Sequence, residues 1–354
     1  MSAVSTPETV ADLVEAVRST TQVLAVGART KPRLSQVPGG VTLLSTRRLS
    51  GILEYEPEEY TFTALAGTPM LELSATLAQK GQHLPFDPFL VAAGATLGGT
   101  VGAGLSGPGR FRFGGIRDFI LGIRFVDGTG RLLRLGGKVV KNAAGFDLPK
   151  FFTGSLGRFG ILAELTFKVF PQPSDTLTLR LPVADDAAAA SLLTAAGNSR
   201  WEPEALDLLP SGDAVALRLG GPAGALPILA AEILGRWPGE ILSRDAADAL
   251  WSDLREFRWT HPAGGLLKIA LAPREIATLG SAVRAVEGRL HVSSGGNVAY
   301  ASLPPGADPS ALGVPALTLR GPGTLWHRAP PATLVSLAVK TALDPHNRFP
   351  TLAD

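Results

Sequence analysis

Residues 94–109 read GATLGGTVGAGLSGPG, with seven glycines in sixteen positions. Glycine has no Cβ and tolerates positive φ, so such a stretch lets backbone N–H groups approach a flat or anionic partner. A second candidate is Val26-Gly27-Ala28-Arg29-Thr30-Lys31, which follows an apolar run and ends in Thr and Lys. Gly102 to Gly107 is a literal G-x-G-x-x-G. A dinucleotide fingerprint, however, needs a buried strand before it and a helix from its third glycine. Pro108, Gly109, Gly114 and Gly115 follow instead, so no helix is expected there. Asp127 lies at the tempting downstream distance but falls in a turn. No G-K-[ST] follows any glycine run, which excludes a Walker loop. A flexible linker would not interleave Leu97, Val101 and Leu105, which argue for packing. The stretch therefore reads as a loop that wraps a ligand rather than one that starts a helix.

The chain is long enough for two or three domains, with 354 residues, 45% of them hydrophobic and 18% charged. Its formal charge of +2 gives no case for nucleic acid. Between Arg110 and Lys168, however, eleven Lys/Arg face four acids, an excess that suits an anionic ligand or a solvated basic surface. Cysteine is absent, which excludes disulfides, cysteine-ligated iron–sulfur clusters and a cysteinyl link to a cofactor. The five histidines are not closely paired, so no metal site is expected. No signal peptide is visible and no run of about 18 apolar residues occurs, so a cytoplasmic chain is expected.

The elements that must hold the two glycine segments follow from periodicity. Ser5-Thr6-Pro7-Glu8 reads as the cap of a helix whose apolar stripe is Val10, Leu13, Val14 and Val17. Strands are expected at 23–26, 41–44 and 60–66, then a helix over 70–80 that stops at Gly81. Ile120–Val126 and Leu132–Leu135 flank Asp127-Gly128-Thr129-Gly130, a hairpin signal. Another strand covers 159–169. Beyond Pro171 and Pro173, strand-like runs at 176–181, 214–219 and 266–271 alternate with Ala-rich helices at 184–196, 226–234 and 274–286. That is an α+β pattern with its own core. A last helix covers 333–343, and the tail after it is irregular.

Together these residues resemble the FAD-binding domain of the vanillyl-alcohol oxidase / p-cresol methylhydroxylase (PCMH) family. The order matches: VGARTKP (26–32), TALAGTPMLELSATLAQKGQHLPFDP (63–88), then GATLGGT. Within that family, RFGGIRDFILGIRFVDGTGRLLRLGGKVVKNAAGFDLPKFFTGSLGRFGIL (112–162) is similar to the FAD-binding subunits of bacterial glycolate oxidases. The likeness covers about half the chain strongly and 174–330 weakly. It implies an α+β chain: a two-subdomain PCMH-type FAD-binding domain over 1–172, a smaller α+β cap over 173–325, and a C-terminal segment, 326–354, that returns to the first domain.

The resemblance implies that Val26, Gly27, Ala28, Arg29, Thr30 and Lys31 hold the pyrophosphate. Thr96, Gly98, Gly99 and Thr100 would line the flavin and diphosphate, with Pro88 beside them. Gly104 and Ser106 would lie near the flavin ring, and Gly160 and Ile161 at the adenine end. Arg117 and Asp118 look like structural partners; Lys141, Asn142 and Asp147 are structural or near the flavin. The first loop departs from the family's glycine-rich form at Ala28 and Arg29. It holds no histidine, and the chain has no cysteine, so noncovalent FAD is implied. The tail DPHNRFP (344–350) resembles the family's closing D-P-x-x-x-F-N-P-G-R but lacks its Gly-Arg, so no flavin contact is assigned there.

Oxidising a 2-hydroxy acid needs a cation for the carboxylate and a base for the hydroxyl proton. The second half offers Arg320, Trp326, His327 and Arg328, with Tyr300. An isolated histidine beside a tryptophan is more often a packed surface residue, so no catalytic base is named. Three functions stay open. The first is an FAD subunit of a complex oxidising glycolate to glyoxylate, with a second flavoprotein subunit and an iron–sulfur subunit as partners and any membrane association through them. The second is a self-sufficient FAD enzyme on another hydroxy acid or alcohol. The third is a non-catalytic assembly subunit with a vestigial FAD site.

Overall fold

The first helix begins later than its sequence suggests. In the computed structural model, which describes residues 4–36, 39–137, 147–328 and 333–351, Thr9 caps α1 (Val10–Ser19). Thr9 and Asp12 form a reciprocal capping box, so the Asp12 side chain decides the start rather than Ser5 or Thr6. Strand β1 (Val4–Ser5) precedes α1, and β2 (Val23–Val26) and β3 (Thr42–Ser45) follow it. These three make a parallel sheet in the order β1-β3-β2.

A five-stranded antiparallel sheet comes next, ordered β4-β5-β9-β7-β8. Its strands are β4 (Ile52–Glu56), β5 (Thr61–Leu65), β7 (Ile120–Val126), β8 (Leu132–Gly136) and β9 (Ile161–Lys168). The β7–β8 hairpin closes at Asp127, which is fully buried and accepts from the Thr129 and Arg131 backbone. Helix α2 (Met70–Ala78) lies between β5 and β6 (Gln82–His83), and β6 pairs with β10 (Phe170–Pro171).

The glycine segment contains a helix, not a loop. Thr96 caps α3 (Leu97–Ala103): its Oγ1 accepts from Gly99 N–H at 3.2 Å. Leu97 and Val101, four apart, are fully buried beneath it. Cap and apolar spacing together outweigh the glycines' poor helix propensity. Gly104 ends the helix in the left-handed region at φ 60°. A four-residue turn, α4 (Arg110–Phe113), starts after Gly109, and α5 (Leu148–Phe151) is capped by Asp147. Lys141 and Asn142 lie outside the described residues.

All of the nine-stranded sheet comes from 175–327, in the order β14-β11-β13-β12-β16-β17-β15-β18-β19. The strands are β11 (Asp175–Pro182), β12 (Ala205–Leu208), β13 (Ala214–Gly221), β14 (Glu240–Ile241), β15 (Gly265–Ala270), β16 (Arg289–Ser293), β17 (Val298–Leu303), β18 (Ala316–Arg320) and β19 (Trp326–His327). Helices α6 (Asp186–Gly197), α7 (Leu226–Arg236), α8 (Arg244–Arg255) and α9 (Ile276–Ala285) accompany it. Helix α10 (Leu334–Leu343) is capped by Thr333. The tail then runs back to the parallel sheet, where Val23 N–H donates to Arg348 O.

One apolar core runs through both halves. It joins Phe62, Phe119 and Phe167 of the five-stranded region to Phe257, Leu266, Val298, Tyr300 and Leu317 of the nine-stranded one. Phe62 and Phe167 stack at 5.7 Å between centroids. Removing either ring would cost about 3–5 kcal/mol.

Candidate functional site

Strand β2 delivers its C-terminal end to a cleft. One wall is Val26–Lys31. The opposite wall is the non-regular stretch Ser155–Gly160, of which Ser155, Leu156, Gly157 and Gly160 line the cleft. Helix α3 supplies Gly98, Gly99, Gly102 and Ala103, with Thr96 at its cap.

Arg29 sits at φ 55°, a conformation that glycine enters freely and arginine at a cost. The first turn thus carries an arginine in the left-handed region. Among the described residues, no protein acceptor meets the N–H groups of Ala28, Arg29 or Thr30. Lys31 is buried, and its Nζ donates to Thr30 Oγ1 at 3.1 Å. Burial pushes its ammonium down from 10.5 to about 8, with no carboxylate offsetting the cost. A buried cation beside unmet amides is a built receptor for an anion.

Helix α3 contributes differently from the sequence reading. The N–H groups of Leu97, Gly98 and Gly99 already donate to Thr68 O, Ala66 O and Thr96 Oγ1. A Cβ on Gly98 would stand 2.8 Å from Ala66 Cβ, and one on Gly27 2.3 Å from Thr96 Oγ1. These glycines let the helix, the β5 end and the first loop close on one another. Gly102 is the exception: a Cβ there would meet nothing within 4 Å.

Ten of the fifteen residues expected at the cofactor are therefore brought together: Val26, Gly27, Ala28, Arg29, Thr30, Lys31, Thr96, Gly98, Gly99 and Gly160. The other five do not line the cleft. Thr100 is buried and donates to Thr96 O, and Pro88 is buried in its own loop. Ser106 Oγ accepts from Ile116 N–H, and Ile161 packs with Leu13 and Val17 in the core. Gly104 lies one residue beyond the lining, its carbonyl taken by Lys268 Nζ at 3.0 Å. Asp118 accepts from Gly115 N–H, while Arg117 is exposed. Sequence reasoning misses Gly102, Ala103 and Ser155–Gly157 as lining; the G-S-L-G run at 154–157 is the one signal that points to that wall.

A second arrangement has no signal in the sequence. Across the nine-stranded sheet, His291 pairs in register with Tyr300, and Tyr300 with Lys268. Asp207 Oδ2 meets His291 Nε2 at 2.9 Å, and Asp207 Oδ1 accepts from Ser293 Oγ and Ser294 N–H. The row Asp207–His291–Tyr300–Lys268 thus ends on Gly104 of α3. Burial, with Arg110 nearby, pushes Lys268 down to about 8, and burial pushes the Tyr300 hydroxyl up. Neither Tyr300 Oη nor His291 Nδ1 has a protein partner among the described residues. Phe89 and Phe257 pack against the Tyr300 ring at 5.1 and 5.2 Å.

The candidates for carboxylate recognition are engaged elsewhere. Arg320 donates to Gly264 O, Thr260 Oγ1 and His261 O. His327 Nε2 shares a hydrogen bond with Thr318 Oγ1, and Arg328 donates to Gly313 O. These residues are packing and edge-strand contacts.

Comparison with known proteins identifies the family. The sequence pattern of the FAD binding domain family matches residues 1–136. Glycolate oxidase subunit GlcE of Escherichia coli K12 is 36% identical over 247 residues, 68% of this chain and 66% of that protein. The chain belongs to the PCMH-type FAD-binding family. The FAD-binding chain is also 30% identical to glycolate oxidase subunit GlcD of Bacillus subtilis, over 58% of its length and 44% of GlcD. A D-2-hydroxyglutarate dehydrogenase of Xanthomonas citri is 32% identical over 41% of this chain and 31% of that enzyme. The aligned stretches thus span less than two thirds of each relative, from 66% down to 31%. Among solved structures, alkyldihydroxyacetonephosphate synthase has the same fold, with TM-score 0.71 and 17% identity over 98% of this chain and 76% of that one. Among the described residues no helix is long and apolar enough to cross a membrane.

Proposed function

We propose that the cleft holds FAD noncovalently and that this chain is a flavoprotein subunit of a glycolate oxidase-type complex. The observation that carries the cofactor placement is the buried Lys31 ammonium below the unmet amides of Ala28, Arg29 and Thr30. That receptor fits a diphosphate. Gly98, Gly99 and Gly102 line the α3 side of the same cleft and would hold the rest of the cofactor. When bound, FAD supplies the two-electron acceptor for oxidation of a 2-hydroxy acid, glycolate to glyoxylate. The chain's own residues bind, orient and exclude water. With no cysteine, the chain cannot ligate an iron–sulfur cluster, so electrons leave through partner subunits, one a flavoprotein and one carrying the clusters. A cytoplasmic complex, attached to membrane only through those partners, goes with this reading. So does a division at 1–172, 173–325 and 326–354.

A second reading is a chain that holds FAD without oxidising substrate itself. It is favoured by the closed space beyond Gly104, where Lys268, Tyr300, Phe89 and Phe257 pack. Adding glycolate or D-lactate to the FAD-loaded chain under anaerobic conditions, with and without its partner subunits, separates the two. Bleaching of the isolated chain supports a competent oxidising subunit. Bleaching only of the assembled complex supports the second reading. No bleaching in either state would contradict the proposal of hydroxy-acid oxidation.

A further inference from the structure

Helix α10 packs Val339 and Leu343 on the core yet leaves Leu334 and Leu337 86% and 47% exposed, while Lys340 is 9% exposed. We propose that Lys340 is a positioning residue for the cofactor cleft, holding its two walls at a fixed separation. The inference rests on the FAD reading of that cleft.

The Lys340 ammonium donates to Arg158 O at 2.8 Å, Asp344 Oδ2 at 2.6 Å, Phe349 O at 3.0 Å and Pro350 O at 3.2 Å. Arg158 lies between Gly157 and Gly160, both of which line the cleft. That wall has no regular secondary structure, and its Leu156 and Gly157 stand at φ 51° and 74°. On the other side, the tail is sewn to the strand that carries the first loop. Arg348 O accepts from Val23 N–H at 2.7 Å, and the Arg348 guanidinium donates to Val17 O at 3.1 Å and to Thr20 O. Val23 begins β2, which ends at Val26, where the loop starts. One ammonium therefore ties both walls to the same tail. A buried ion pair rarely adds net stability over a packed apolar residue, so stability alone gives no reason for lysine here.

The test is FAD titration of the full-length apoprotein, read by flavin fluorescence and visible circular dichroism, beside its unliganded melting temperature. Lys340→Met is compared with Asp344→Asn, which loosens the same tail but leaves the bond to Arg158 O. The expected result is a roughly tenfold or greater loss of FAD affinity and an altered flavin dichroism in Lys340→Met. Asp344→Asn, even with an equal drop in melting temperature, should keep affinity within about threefold. If Lys340→Met does not fold, Lys340→Gln carries the same comparison. Wild-type affinity in the Lys340 variant, or losses that track melting temperature equally in both variants, would overturn the inference. Failure of the wild-type chain to bind FAD would remove the cleft reading and this inference with it.

Discussion

At the residue scale, Lys31 is the side chain on which the account leans most. Without an anion its folded pKa is about 8, against an ordinary lysine value of 10.5. Between those values the unfolded chain keeps a proton that the folded chain has shed. The unliganded chain therefore gains stability as pH rises through that window. Diphosphate binding works in the opposite direction, because it must take that proton back. FAD affinity should fall as pH rises above about 8, and Lys31→Met should bind more weakly at pH 7 and lose this slope. Titrations at several pH values check both, and an unchanged slope in the variant would remove Lys31 from the site. The glycines divide by what a side chain would meet. Gly98→Val would clash with Ala66 and should yield misfolded protein, which says nothing of FAD. Gly102→Leu points into open space and improves helix propensity by about 1 kcal/mol. It should melt no lower than wild type yet bind FAD more than tenfold more weakly. Melting curves and titration read these separately.

At the element scale, Asp87 joins the two halves. It accepts from Gly109 N–H at 2.8 Å and pairs with Arg218 of β13 at 2.7 Å, with Arg255 of α8 at 3.9 Å. Burial would raise its carboxyl, but Arg218 and Arg255 outweigh it and hold the group below its ordinary value. Its stabilising contribution is present above the unfolded pKa and lost as pH falls through the folded one. Asp87→Asn removes one of the two carboxylates that Arg218 pairs with, leaving Glu204 at 3.2 Å, and should cost about 2 kcal/mol, read by denaturant melts. Much of this layer was legible. The strand at 23–26, the helix from Met70, the β7–β8 hairpin and the last helix follow directly from periodicity and turn chemistry. Helix α3 was not, because glycine composition hides a cap and an apolar pair that decide the outcome. Nor were β16 and β17, which are buried on both faces and so lack alternation. The row Asp207–His291–Tyr300–Lys268 is a property of strand register, and no sequence spacing encodes it.

At the scale of the whole molecule, every residue that lines the cleft falls within the first 172, and the nine-stranded sheet meets that half through Lys268 on the Gly104 carbonyl, just beyond the lining. The first loop was readable because its chemistry is local: a strand end, a turn and a lysine. The opposite wall is shaped by the C-terminal tail, some 180 residues away in the chain, through Lys340. The shared core makes the two halves one cooperative structure, so variants at either side of Gly104 should be read for stability as well as binding. The most direct measurement is an equilibrium titration of the purified chain with FAD, followed by acid precipitation of the complex. The account predicts saturation at one FAD per chain and all flavin in the supernatant. No saturable binding, or colour retained on the precipitated chain, would contradict it.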